Sequence, residues 1–232
     1  MPHHFFSRTQ RNRRAALMAA KHEFGHNGGS LPDPMHLFKA IVSAALLLMA
    51  LSCGGGKIPP THYYALDLPP APKPQVSASG KTLVVASVTA ADPLTQDRIV
   101  YRPTRQEVGF YEYHRWASDP REAIRAALID QLRAGGLFQT VAPFDGRTKG
   151  DFLLRSRIDR LEEVDFEDGV KVYAAISAQL LDVSTDRVVW TGRGEASEPV
   201  NSADVRQVVA AMSKATDAGL KQLAASLADY LR

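Results

Sequence analysis

Cys53 is the only cysteine in the 232-residue chain. A single thiol forms no internal disulfide, which leaves a buried thiol, a nucleophile or a modified residue. A buried thiol needs packed neighbours, and Gly54-Gly55-Gly56 bring no side chains to pack. A nucleophile needs a base, and only His62 and His114 follow it in the chain. Neither histidine has a sequence neighbour that would orient an imidazole, so both read as surface or rim residues. The residues before Cys53 favour modification: Ala40 to Leu51 is an apolar run of twelve, preceded by Lys39 and ended by Ser52. A membrane-spanning helix needs about 20 apolar residues. A positive residue, an apolar run of about 7–15 and a small residue at the cut describe a secretory signal. With cysteine after the cut, Ala50-Leu51-Ser52-Cys53 reads as a lipobox, cleaved between Ser52 and Cys53 and acylated on Cys53. Ala50 and Leu51 stand transposed relative to the usual order. A short core helix or an uncleaved anchor is the alternative.

Other residue groups carry weaker chemistry. Glu162, Glu163, Asp165, Glu167 and Asp168 lack the spacing of a calcium loop and flank a turn, so they read as a solvated acidic end. Gly192-Arg193-Gly194 lacks the third glycine and the following helix of a dinucleotide fingerprint, and marks a bulge or a close backbone approach. No nucleophile and base lie within reach of each other in sequence, so no catalytic residue, metal or cofactor is expected beyond covalent lipid on Cys53.

Charge narrows the partners. Residues 1–52 hold six of the 28 basic residues and two of the 25 acidic ones, so the chain from Cys53 onward has net charge −1. It shows no basic footprint for nucleic acid. Residues 1–34 read as a disordered extension or a misplaced start, with Met35 opening a signal peptide over 35–52. Residues 53–61 read as a tether, and 62–232 as one domain. Gly54, standing where an aspartate would retain a lipoprotein at the inner membrane, points to the periplasmic face of the outer membrane.

The elements that position these residues follow from patterning. His62 to Leu68 reads as an aromatic-rich strand in which Tyr63 and Tyr64 face opposite sides, one to the core and one to a partner. Lys81 to Ala90 reads as a buried strand, and Arg98 to Pro103 with Glu107 to His114 as a hairpin. Trp116 precedes a helix capped by Asp119, begun by Pro120 and ended at Gly135-Gly136; it reads as a core anchor, with a partner contact as the other use. Leu137 to Pro143 reads as a short strand. Long strands from Phe152, over Val170 to Val183 and over Arg187 to Glu195 form a meander through turns at Asp168-Gly169 and Ser184 to Asp186. A final amphipathic helix starts at Asn201 and carries Val205, Val208, Met212, Leu220 and Leu227 on one face. The expected class is α+β: a mostly antiparallel sheet with two main helices packed on it.

The order of these features resembles the ABC-type transport auxiliary lipoprotein family. The features are a lipobox, Tyr63-Tyr64-Ala65-Leu66, Trp116 before a helix bearing Leu128 and Leu132, Val188-Val189-Trp190, and a C-terminal amphipathic helix, and the resemblance spans residues 53–232. It implies a noncatalytic accessory lipoprotein. Its partners would be a mammalian-cell-entry domain protein, as in paraquat-inducible systems, and ABC transporter components; its cargo would be lipids or other apolar compounds. A homo-oligomer stays open. A secretion-pore pilot or another outer-membrane assembly lipoprotein is the competing reading.

Overall fold

The computed structural model describes residues 58–72, 80–166, 169–202 and 204–232, together with Met35, Phe38, Lys39, Val42 and Ser43, whose backbone is helical. The expected cleavage and lipidation positions Ser52 and Cys53, the tether as far as Lys57, and Asp168 of the expected turn lie outside the described residues. The chain divides into two units, Met1–Lys57 and Ile58–Arg232, and the fold belongs to the second.

Its elements in chain order are β1 (His62–Tyr64), β2 (Thr82–Val85), β3 (Thr89–Ala90), β4 (Arg98–Arg102), β5 (Gly109–Trp116), α1 (Pro120–Ala134), β6 (Thr140–Pro143), β7 (Phe152–Val164), β8 (Val170–Asp182), β9 (Arg187–Val200) and α2 (Val205–Leu231). The spine is β7. Along one side it pairs with antiparallel β8, which pairs in turn with β9. Along its other side it takes β2, β3 and β4 successively, all parallel. β6 lies outside β2, β5 outside β4, and β1 outside β5. The sheet is thus mixed rather than purely antiparallel, with its two longest pairings, β7 with β8 and β8 with β9, antiparallel as expected. α1 returns the chain from β5 so that β6 runs parallel to β2, a connection that tight turns cannot make.

Sequence patterning accounts for the local structure with three differences. The expected strand from His62 ends at Tyr64, because the chain then turns beside α2, where the Asp67 N–H donates to Ser213 Oγ at 3.0 Å. The expected strand over Lys81 to Ala90 divides into β2 and β3, which pair with different stretches of β7. The cap of α2 is Asp204, not Asn201: β9 continues to Val200, and the Asp204 carboxylate accepts from the Arg206 N–H at 2.9 Å. α1 begins as expected, with Asp119 accepting from the Arg121 N–H and Pro120 in its first position.

A single core joins both helices to one face of the sheet. Leu154, Ile158, Ile176 and Leu180 from the strands meet Leu128 and Leu132 of α1 and Met212, Leu220 and Leu223 of α2, each no more than 2 % exposed. Helix and sheet meet backbone on backbone where Gly194 of β9 lies against Gly219 of α2. The Gly192-Arg193-Gly194 motif therefore does mark a close approach, and Gly192 also makes room for the Trp190 ring.

Candidate docking site

β1 is an edge strand. Among the described residues it pairs only with β5, placing His62 opposite His114, Tyr63 opposite Arg115 and Tyr64 opposite Trp116. Period-two alternation turns Tyr63 outward, where it is 65 % exposed, while Tyr64 is half-buried. Ile58, at the start of the described chain, is 82 % exposed. Two large exposed side chains thus stand at the N-terminal end of this unit.

Behind Tyr64 lies a ladder of rings. Its hydroxyl is hydrogen-bonded to His114 Nδ1 at 2.9 Å, and the His62 ring stacks on His114 with centroids 5.4 Å apart. Tyr111 meets His114 edge-on at 5.5 Å, and Tyr101 packs on Tyr111 at 5.2 Å. The ladder depends on a bulge: β4 and β5 shift register between Arg98 and Val100, which brings Tyr111 and His114 together although they are three residues apart. Gly109, opposite Tyr101, leaves the space the Tyr101 ring occupies. Burial and the neighbouring His62 push the His114 imidazole below its usual value, with Asp204 opposing them. Burial, then Asp204, raise the Tyr64 hydroxyl.

The ladder ends on a buried acid. The Tyr111 hydroxyl donates to Glu163 Oε2 at 2.8 Å, and Glu163 is 7 % exposed. Glu162 beside it is 4 % exposed and accepts from Arg102 Nε and Arg160 Nε, each at 2.8 Å. These two glutamates are therefore not the solvated acidic end that sequence suggested. Parallel pairing of β4 with β7 sets Val100 opposite Glu162 and Tyr101 opposite Glu163, so that β4 and β8 flank both edges of a stretch that looks like a polar strand end. No sequence signal marks that pairing, because its partners lie about 60 positions apart.

Burial pushes the Glu163 carboxyl above the usual glutamate range; the Tyr111 hydrogen bond opposes this and Asp165 adds to it. A raised folded-state pKa means the folded protein holds this proton more tightly. The group's contribution is then fully present below the ordinary glutamate value and is lost as pH rises through the folded value. Glu163→Gln keeps an acceptor for Tyr111 and removes the titration. Urea unfolding across pH is expected to give the variant a higher midpoint than the parent at about pH 7.5, with the two converging near about pH 4. A gap that widens toward acid would show the opposite sign.

Trp116, the third residue singled out by sequence, sits in the core at 7 % exposure, so its indole is not on an open surface. Tyr63 and Tyr64 are brought to the same edge, with only Tyr63 fully presented. Among the described residues no group of three His, Cys, Asp or Glu is placed to hold a metal ion. None of their helices is both long and apolar enough to cross a membrane.

The family model of the ABC-type transport auxiliary lipoprotein component matches residues 64–228. The chain belongs to that family. The match runs from Tyr64, the last residue of β1, to within the last turn of α2, so it takes in every strand after β1, all of α1 and nearly all of α2. As an auxiliary lipoprotein the protein is a membrane-anchored envelope component associated with ABC transport. Solved structures share the fold. A crystal structure of a Xanthomonas campestris protein superposes with a TM-score of 0.64 at 23 % identity, covering 73 % of this chain and 96 % of that one. A second, of an uncharacterized protein, gives 0.55 at 16 % identity, covering 75 % and 100 %. No curated protein matches the sequence.

Proposed function

We propose that this auxiliary lipoprotein is a noncatalytic docking component of an ABC-type envelope system built on a mammalian-cell-entry domain protein. Acyl chains on Cys53 hold it to the periplasmic face of the outer membrane, and the cargo of the system is lipid or another apolar compound. The observation that carries this reading is the family match over 64–228, which makes the fold an auxiliary component. Two features support the docking role: the edge strand β1 with outward Tyr63, and its place a few residues beyond the lipobox. An edge strand offers unpaired backbone groups to a partner strand, and tyrosine adds rigid contact area with a polar tip. From Cys53 to His62 the chain spans at most about 30 Å at roughly 3.3–3.6 Å per residue, so the edge works near the membrane surface.

The test uses the full chain carrying Cys53→Ser, purified under gentle conditions from cells expressing the neighbouring transport genes. Recovery of the mammalian-cell-entry protein, permease or ATPase is expected. Recovery of none of them, or of a secretin instead, overturns the reading. Within that assay Tyr63→Ala is expected to weaken association roughly tenfold, the scale of a moderate aromatic hot spot, with the domain's stability unchanged. Membrane attachment is read separately: fatty-acid labelling present in the parent and absent from Cys53→Ser.

A further inference from the structure

On the sheet face turned away from the helices, three carboxylates, Glu162, Asp159 and Glu195, are each shared by two arginines. Glu162 is bound by Arg102 and Arg160. Asp159 lies 3.8 Å from Arg157 Nε and 3.3 Å from Arg193 Nη1. Glu195 lies 3.0 Å from Arg193 Nη2 and 3.8 Å from Arg160 Nη1. A fifth arginine, Arg155, is exposed and has no ion-pair partner among the described residues. Within this cluster five guanidiniums meet three carboxylates, an excess of two positive charges in a chain whose balance after Cys53 is −1.

The excess is not spread evenly. Glu162 and Glu195 sit toward the Val164 end of β7, while Arg155 and Arg157 stand at the other end, where strand register sets them opposite Gln179 and Ser177 of β8. Gln179 is in turn opposite Thr191 of β9. These side chains line a hollow of about 400 Å³, together with Asp159, which is engaged by Arg157 and Arg193. Its lining offers guanidinium N–H groups in forked geometry, an amide N–H and the hydroxyls of Thr89, Ser156, Ser177 and Thr191, with no carboxylate free of arginine. That donor set suits a phosphate oxygen cluster, which arginine binds in two-point fashion more tightly than a carboxamide or hydroxyl could alone.

We propose that this hollow binds the phosphate of an anionic phospholipid headgroup, holding the helix-free face of the sheet against the membrane to which the protein is anchored. The phosphate chemistry stands on the arginine geometry alone; the choice of a headgroup as its source rests on the membrane-anchored reading. Charge segregation supports the same choice, since an anionic leaflet attracts each nearby basic side chain and repels the acidic remainder of the domain.

The experiment is co-sedimentation of full-length Cys53→Ser protein with vesicles of phosphatidylcholine alone or with roughly 30 % phosphatidylglycerol, alongside the same chain carrying Arg155→Gln and Arg157→Gln. Residues 1–52 are common to both proteins and cancel in the comparison. Preference for the anionic vesicles is expected to fall about fivefold for each arginine removed, and to weaken with added salt. Arg155→Lys with Arg157→Lys, which keeps both charges but loses the two-point fork, is expected to fall between the parent and the Gln variant and shows that the Gln variant's loss is not a folding defect. Equal partitioning of parent and Gln variant overturns the site. Saturable binding of inorganic phosphate, followed by the Arg Nε resonances, without any vesicle preference assigns the hollow to a free anion and overturns the headgroup. Failure of acyl labelling with the vesicle preference intact overturns the lipoprotein reading and leaves this one standing.

Discussion

Gly194→Ala lowers the thermal midpoint of the domain by about 6–12 °C, while Gly219→Ala across the same contact is neutral or stabilising. The two glycines face each other but meet different atoms. A Cβ on Gly194 would run into the Gly219 carbonyl, lying 2.8 Å from its carbon and 3.1 Å from the Leu223 nitrogen, so the helix backbone itself must move. A Cβ on Gly219 would meet nothing nearer than 3.4 Å, an ordinary contact. Overpacking against rigid backbone costs about 3 kcal/mol, which for a domain of this size corresponds to that shift. In α2, by contrast, alanine gains up to about 1 kcal/mol of helix propensity over glycine. Gly80, with nothing within 4 Å of its Cβ position, is the control and is expected to change stability by less than about 0.5 kcal/mol. Equal losses at Gly194 and Gly219 in calorimetry would refute the contact as the cause.

The second large effect is expected at Glu162. Its side chain is 6 % exposed and is the common acceptor of Arg102 and Arg160, which are themselves 27 % and 30 % exposed. Arg160 also lies over the Tyr173 ring, 4.2 Å from its centroid. Glu162→Ala leaves two half-buried guanidiniums facing each other without their shared counter-charge. The expected cost is about 3 kcal/mol, the low end for breaking a buried pair, because both arginines keep some contact with water. Arg102→Met costs less, since Arg160 still neutralises the acid. Urea unfolding of the two single variants and the double is expected to show strong coupling, with Arg102→Met partly rescuing Glu162→Ala. Additive losses would mean that the three charges do not act as a unit.

Both effects hang on contacts between distant parts of the chain, and this separates what was legible from what was not. The meander of β7, β8 and β9 was readable because alternation and turn residues are local and each strand pairs with its neighbour in sequence. The helix over Pro120–Ala134 was readable because Asp119 and Pro120 are a start signal within two residues. At the candidate docking edge, opposite facing of Tyr63 and Tyr64 follows from strand geometry alone, and the structure adds which one points out. The ring ladder was not legible. It needs a bulge in β5 and a parallel partner from the start of the domain, neither of which has a sequence mark. Asn201 looked like a cap because cap residues are also turn residues, and only the length of β9 shows that the helix begins later, at Val205.

Sequence by itself carries the expectation of a lipobox at Ser52 and Cys53, and it determined the near-neutral balance of the chain beyond it and the α+β order of elements, since each rests on residues adjacent in the chain or on a count. Tertiary structure alone decided that the sheet is mixed, that Glu162 and Glu163 are buried, and that five arginines crowd one face with Arg155 left over. Those outcomes depend on β4 pairing with β7 and on β8 and β9 fixing the register beside it. Pairing between strands some 60 residues apart is set by the free energy of the whole core, which no local run of residues encodes.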